Sequence, residues 1–399
     1  MTIVNAAPPA RRLVVSYCFP PYADTAAIVA AKRVAEHGEP VDVVFNAMDA
    51  IRSRDPGLVR LCDGLVRRWA AVPSRTAFSS WASIGDFQRL GLSEVARWEA
   101  EQGPYTSLYS RAQFAASHFL AAEVKLTRPG IVWDAEFSDP LSHDVKGGVR
   151  SSPAADDRSL RRLRHAIERA GFRPPGGTNA FEWCEVAAFA LADRVVFTNA
   201  HQRDFMLEAC HDPDLAARVS QIAVVSPHPT PPAELYAVGK PELALDPAVR
   251  HLGYFGNFYA NRGLSLVLDA LGLLPASTRE RLVLHVFTTD PDELDAETAR
   301  RGLSGQVQAR PFVGYLDFLA LASRMDCLLV NDAVSPAGGR NPFLPSKWSD
   351  YRGSGTPVWG IVEEGSALDA QPLDHRSPVG HLTAAGQILQ RIAGGAARA

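Results

Sequence analysis

Pro345-Ser346-Lys347-Trp348-Ser349-Asp350-Tyr351, followed by Gly353-Ser354-Gly355-Thr356-Pro357-Val358-Trp359, decides how this chain is read. The first run predicts a short helix over 346–352. The glycines stop it, and 357–362 reads as a buried strand. A helix start leaves backbone N–H groups without intrahelical partners and carries the positive end of the helix dipole, so it suits an anion. Ser346 is placed to cap the helix or to donate to an oxygen. Lys347 adds a full positive charge. Asp350 lies one turn further on, where a carboxylate can accept from sugar hydroxyls. A serine, a lysine and a carboxylate in this order suit a diphosphate joined to a ribose.

Working outward, Cys327-Leu-Leu-Val reads as a strand and 331–344 as a Gly/Asn/Pro loop that feeds the helix. Before them, 252–256 is a strand entering a loop, 264–274 a helix, 282–287 a strand, 307–312 a further strand and 315–323 a helix. The first half shows the same alternation. Strands are predicted at 12–17, 41–45, 131–133, 194–198 and 222–225, with helices at 26–37, 181–191 and 200–210. Residues 50–128 read as mostly helical. Strand–helix alternation of this kind signals parallel α/β sheets. Pro227-His-Pro-Thr-Pro-Pro breaks regular structure near the middle. The expected fold class is therefore α/β, with two doubly wound Rossmann-like domains facing a cleft. The expected division is a first domain over 1–226, a Pro-rich linker over 227–245, a second domain over 246–380 and a C-terminal helix over 381–399 that returns to the first domain. Residues 145–180, rich in Gly, Pro, Ser and Arg, read as an exposed or mobile excursion with one basic helix.

Bulk properties narrow the function classes. The chain has 399 residues, enough for two domains. A net charge of −3 argues against a dedicated nucleic-acid binder. No stretch is long and apolar enough to span a membrane, so contact with one is at most peripheral. The N-terminus has no signal-peptide core, which gives an expectation of a cytoplasmic protein. The five cysteines show no metal or redox spacing and read as buried thiols. No Asp-x-Asp pair sits in a metal-binding context, and no Ser-His-Asp or Cys-His arrangement is legible, so neither a metal nor a cofactor is expected. The oligomeric state is not legible.

Other candidate residues gather on loops that leave predicted strands. Gly256 lets backbone approach a ligand closely, and Arg262 can clamp a phosphate through two N–H groups. A tight turn with a solvated arginine is the structural alternative. Gly338, Gly339 and Asn341 can offer N–H groups to a sugar hydroxyl or a phosphate. Glu136, Asp139 and His143 crowd the loop after 131–133, where they can orient an acceptor hydroxyl or serve as an Asp-Pro turn. Asp24 and Thr25 open a helix and can meet an anion or simply cap it. Glu182 and Glu185 read as a solvated or salt-bridged helix face.

With these motifs in hand, the chain resembles the large retaining glycosyltransferase family 4, of the GT-B architecture. Members often carry Pro-Ser-Lys, two residues, acid-Tyr, a small-residue turn and Pro-Val, as here at 345–358. The resemblance implies that Asp350 binds the nucleotide ribose, where glutamate is usual. It also implies that Arg262 and Lys347 neutralise the leaving nucleoside diphosphate in place of a metal ion. A second family glutamate, which contacts the donor sugar, falls at Pro342. Gly256-Asn257 and the run to Arg262 resemble the family's diphosphate loop. Val313 and Tyr315 fall where members hold the base. Glu136-Phe-Ser-Asp139-Pro-Leu resembles an acceptor-side loop of some members. Ala23-Asp24-Thr25-Ala26 stands where paired glycines are usual. The implied activity is metal-independent, retaining sugar transfer from a nucleoside diphosphate sugar, of UDP or GDP type, to a carbohydrate, lipid-linked or small-molecule hydroxyl. A catalytically silent sugar-nucleotide binder and a sugar-nucleotide epimerase are the alternatives.

Overall fold

The computed structural model describes residues 10–144, 148–257, 263–334 and 340–395. The chain divides into two compact units, Met1–Pro229 and Thr230–Ala399.

The first unit is built on seven strands: β1 (Arg12–Ser16), β2 (Val41–Asn46), β3 (Val66–Val72), β4 (Ser107–Ala112), β5 (Val132–Phe137), β6 (Arg194–Phe197) and β7 (Ala223–Val225). They form one parallel sheet in the order β3-β2-β1-β4-β5-β6-β7. The second unit holds β8 (Arg250–Phe255), β9 (Leu282–Thr288), β10 (Val307–Pro311), β11 (Cys327–Asn331), β12 (Val358–Val362) and β13 (His375–Pro378). These are parallel in the order β10-β9-β8-β11-β12-β13. Both orders reverse direction beside the unit's first strand. Such a switch point leaves a crevice beyond the carboxyl ends of the strands. In the second unit it lies between the loops that leave β8 and β11.

Sheets flanked on both faces need strands apolar on both sides, and β1, β2, β11 and β12 are buried along nearly their whole lengths. The region read as mostly helical, 50–128, holds the helices Pro56–Cys62, Trp81–Gln102 and Ala116–Thr127, and two unexpected strands besides. β3 is an edge strand whose side chains alternate between partial and fuller exposure, and its VRRWAAV sequence carries two arginines near its start instead of a long apolar run. β4 is central yet polar. Its Ser110 accepts from the Trp133 indole (2.7 Å) and bonds His118 Nδ1 (2.8 Å).

Three further expectations change. The described part of the 145–180 excursion is fastened down: Ala180 N donates to Ser152 O (2.7 Å), Ala154 N to Thr178 O (2.6 Å) and Ser152 Oγ to Ser79 O (2.6 Å). Residues 230–245, read as linker, are tied into the second unit. Lys240 N donates to Asp317 Oδ1 (2.9 Å) and Arg324 Nη2 to Leu243 O (2.6 Å). The last helix, Leu382–Gly394, buries Ala385, Ile388, Leu389 and Ile392 in the core of the second unit, beside Leu268 and Leu271. The helix expected to return to the first unit thus packs its apolar face within the second.

Candidate functional site

Lys347 begins a five-residue helix, Lys347–Tyr351. One turn is too short for a substantial dipole, so the charge at this position is the ammonium itself. Ser346 stands at the N-cap with αR dihedrals (φ −58, ψ −29) and makes no side-chain capping bond. An N-cap oxygen reaches the N2 or N3 amide from an extended backbone, which Ser346 does not adopt.

The Lys347 amine lies against Gly256, the residue after β8. A Cβ added at Gly256 would sit 3.0 Å from Lys347 Nζ, 3.2 Å from its Cε and 3.4 Å from the Tyr254 hydroxyl. The glycine read from sequence as room for a ligand is thus room for the lysine. Asn257, next along, is tied to the end of β9. Its Oδ1 accepts from Thr289 N (3.2 Å) and Thr289 Oγ1 (2.9 Å). Asn331, the last residue of β11, donates to Gly263 O (3.0 Å), so the loops on both sides of the switch point are joined.

Asp350 is buried, 6% exposed, and its Oδ1 accepts from the Tyr315 hydroxyl at 2.7 Å. Its backbone carbonyl accepts from Tyr236 at 2.5 Å. Burial first, and then the Asp350 charge, hold the Tyr315 hydroxyl well above its ordinary pKa, so it stays a donor. Tyr315 was expected in a segment that meets a base mostly through its backbone; its hydroxyl is engaged by the carboxylate. Val313 is half-buried just beyond β10. Asn341 is committed to the loop: its Nδ2 donates to Ala333 O and Glu363 Oε2, both at 2.9 Å, and its Oδ1 accepts from Phe343 N. Its side chain therefore braces the loop, while the expectation for Asn341 concerned its backbone N–H. Arg262, Gly338 and Gly339 lie outside the described residues.

In the first unit, Asp24 caps the helix Thr25–His37 by accepting from Ala26 N (2.8 Å), and pairs with Arg52 (2.7 Å). Thr25 is the exposed first residue of that helix. Glu136 sits almost wholly buried, at the floor of a groove. It is 0% exposed and accepts from Arg33 Nε (2.8 Å) and the Tyr109 hydroxyl (2.8 Å), with Arg111 Nε at 3.4 Å. Arg33 also donates to Ser226 Oγ (2.9 Å) and Ser226 O (2.8 Å), so the cluster grips the segment after β7. The carboxylate expected on the acceptor side is thus held in a network of arginines and a tyrosine. A groove of about 220 Å³ on this face is lined by Arg12, Arg33, Tyr109, Asp134, Glu136 and Arg194. Its charges answer one another, with Asp134 bonded to both Arg12 (2.9 Å) and Arg194 (2.6 Å).

Asp139 and His143 are half-buried on the loop after β5. Glu185, read as part of a solvated or salt-bridged face, instead braces this loop, accepting from Leu141 N (2.7 Å), Ser142 N (2.9 Å) and Ser142 Oγ (2.8 Å). A single carboxylate inside the apolar run Trp183-Cys-Glu-Val-Ala-Ala was the available signal. Tyr236 gave none, since its partner lies 114 residues away. Among the described residues no group of His, Cys, Asp or Glu is arranged to hold a metal ion, and no helix is long and apolar enough to cross a membrane.

The two parallel sheets and their flanking helices match the paired Rossmann-like domains of the GT-B fold. HepE from Anabaena, in complex with UDP, superposes at a TM-score of 0.57 with 14% identity over 96% of this chain and 89% of that one. Sucrose-phosphate synthase from Thermosynechococcus elongatus gives 0.58, with 13% identity over 96% and 90%. A Listeria monocytogenes protein provisionally assigned as a UDP-N-acetylglucosamine 2-epimerase gives 0.52, with 10% identity over 97% and 89%. HepE has also been crystallised with UDP and glucose and with UDP-glucose. At these identities the likeness establishes the fold. No protein-family model matches the chain, and no curated protein sequence does.

Proposed function

We propose that this chain is a glycosyltransferase that moves a sugar from a nucleoside diphosphate sugar, of UDP or GDP type, to an acceptor hydroxyl, and that the second unit holds the donor. One observation carries this reading: the Lys347 amine is seated against Gly256 at the switch point, while Asp350, on the same helix, is oriented by Tyr315. An ammonium at that place neutralises a diphosphate, and an oriented carboxylate accepts from ribose hydroxyls. The UDP bound to HepE, a protein of the same fold, supports the same ligand class.

In the reaction the acceptor oxygen bonds to the anomeric carbon, the bond from that carbon to the diphosphate oxygen breaks with its electron pair leaving on the diphosphate, and the hydroxyl proton passes to the leaving phosphate. Lys347 stabilises the charge that develops there, the largest electrostatic help such a site offers. By resemblance Arg262 shares this task, the reaction needs no metal or cofactor, and the sugar keeps its anomeric configuration. The acceptor, a carbohydrate, lipid-linked or small-molecule hydroxyl, is met on the first unit, in the cytoplasm.

Incubation with UDP-glucose, UDP-N-acetylglucosamine and GDP-mannose, followed by product analysis, tests the proposal. Release of nucleoside diphosphate together with free or transferred sugar supports it. Conversion of one sugar nucleotide into another would establish an epimerase, the reading that the Listeria neighbour favours.

A further inference from the structure

The loop that leaves β5 carries a network the donor site does not use. Glu185 Oε1 holds two backbone N–H groups, of Leu141 and Ser142, and its Oε2 faces Ser142 Oγ at 2.8 Å. Ser142 Oγ in turn lies 2.9 Å from His143 Nδ1. Ser142 is buried, and the His143 ring stands edge-on to Phe205 at 5.1 Å. Arg150 closes the loop from the other side, donating from Nη1 to Pro140 O (3.2 Å) and Leu141 O (3.3 Å).

The direction of the protons follows from the inventory of donors. An ionised carboxylate only accepts, so the single Ser142 hydroxyl proton points at Glu185. Ser142 Oγ can then only accept from the ring, which places the imidazole proton on Nδ1 and a lone pair on Nε2. We propose that Glu185 and Ser142 form a relay that fixes His143 in its Nδ1–H tautomer, so that Nε2 stands as a hydrogen-bond acceptor for a hydroxyl of the acceptor substrate. The relay stands on this geometry alone; the identity of its ligand rests on the glycosyl-transfer reading. The loop is well placed for such a ligand, since it leaves the carboxyl end of a strand next to the switch-point strand β4.

The charges around the ring agree with a neutral imidazole. Burial, and then Arg150, lower the His143 pKa, while Asp144 on the same loop opposes them. Glu185 acts from the helix Ala180–Leu191 through Ser142. The helix Ala200–Glu208 brings the uncharged Phe205, and its Arg203 and Asp204 pair with each other (2.7 Å). Burial also raises the Glu185 carboxyl, so at acid pH its protonation would release the Ser142 proton toward His143 and reverse the tautomer.

The test is long-range proton–nitrogen NMR of the imidazoles in the full chain, with His143→Ala used for assignment. Wild type at neutral pH is expected to show Nδ1 protonated and Nε2 bare. Glu185→Gln keeps the acceptor oxygen for the two amides but puts an N–H₂ toward Ser142, so the tautomer should invert to Nε2–H. A wild-type Nε2–H tautomer, or one that Glu185→Gln leaves unchanged, overturns the relay. For the ligand, turnover of UDP-glucose, GDP-mannose and dTDP-glucose with water as the hydroxyl is measured against pH. His143→Ala should cost at least tenfold in turnover with UDP affinity unchanged, and the wild-type acid limb should lie below pH 6.5, the ordinary histidine value. Unchanged turnover in His143→Ala overturns the role of Nε2. Absence of turnover with every donor overturns the glycosyl-transfer reading and this ligand with it, while the tautomer result still decides the relay.

Discussion

Lys347 Nζ approaches Gly256 so closely that a methyl group at that glycine would meet it at 3.0 Å. The two residues are 91 positions apart, and the reversal of strand order between β8 and β11 brings them together. The lysine is therefore fixed by topology and by the lack of a side chain opposite it. Gly256→Ala should move the flexible end of Lys347 at little cost to the fold, with the thermal midpoint nearly unchanged. Affinity for UDP, measured by calorimetry, is expected to fall about tenfold, a loss typical of one displaced charged hydrogen bond. A large fall in thermal midpoint would show that the glycine serves the core rather than the lysine.

The Tyr315–Asp350 bond orients the carboxylate that is proposed to meet the ribose. Tyr315→Phe removes the donor and leaves a buried carboxylate oxygen to be satisfied otherwise. Such a loss costs about 1–3 kcal/mol of stability. The urea midpoint of the second unit should drop accordingly, and affinity for UDP should weaken more than affinity for pyrophosphate, which has no ribose. Equal weakening for both ligands would contradict the ribose assignment.

Much of this was legible before the structure, for physical reasons. Leu13-Val-Val, Val41-Asp-Val-Val and Cys327-Leu-Leu-Val are buried on both faces and show as apolar runs; β3 and β4 escape because one is an edge and the other is satisfied through polar bonds. Lys347, Asp350 and Gly256 stand out because lysine near a helix start, acid one turn on and glycine after a strand are local patterns. The burial of Glu136 was not legible because what buries it is remote: Arg33 lies 103 residues away and Tyr109 27. Glu185 was misjudged for the same reason, since its three donors belong to a loop more than 40 residues earlier.

Glu136 neutralises two arginines in the interior of the first unit. Glu136→Ala would leave Arg111 without its carboxylate and Arg33 with only the exposed Glu36 (2.8 Å) in a buried place, and breaking a buried pair typically costs about 3–5 kcal/mol. Urea denaturation should show that fall in the transition of the first unit, with UDP affinity of the folded protein unchanged. A loss of UDP affinity without a loss of stability would return Glu136 to a ligand site.

Two buried histidines set an acid limit. Burial lowers His118, in the first unit, and His285, in the second, from 6.5 to about 3. Both are neutral in the folded chain, whereas the unfolded chain takes up protons below pH 6.5. Stability is therefore full above 6.5 and is lost as pH falls toward 3. The slope is about 1.4 kcal/mol per pH unit for each histidine, so each unit loses that amount between pH 6 and pH 5. Denaturant midpoints across this range check it; His118→Gln and His285→Gln should flatten the slope of their own unit only.

The central claim is that Lys347 and Asp350 form a nucleoside diphosphate site. Thermal unfolding of the full chain with UDP, GDP, dTDP and ADP, beside Lys347→Ala, tests it most directly. At a hundredfold excess over its dissociation constant the right nucleotide stabilises by about 2.7 kcal/mol. For a unit of this size that raises the midpoint by about 5–10 °C. The account predicts such a rise for UDP or GDP in the wild type and none in Lys347→Ala. No rise with any nucleoside diphosphate, or a rise that survives Lys347→Ala undiminished, would contradict it.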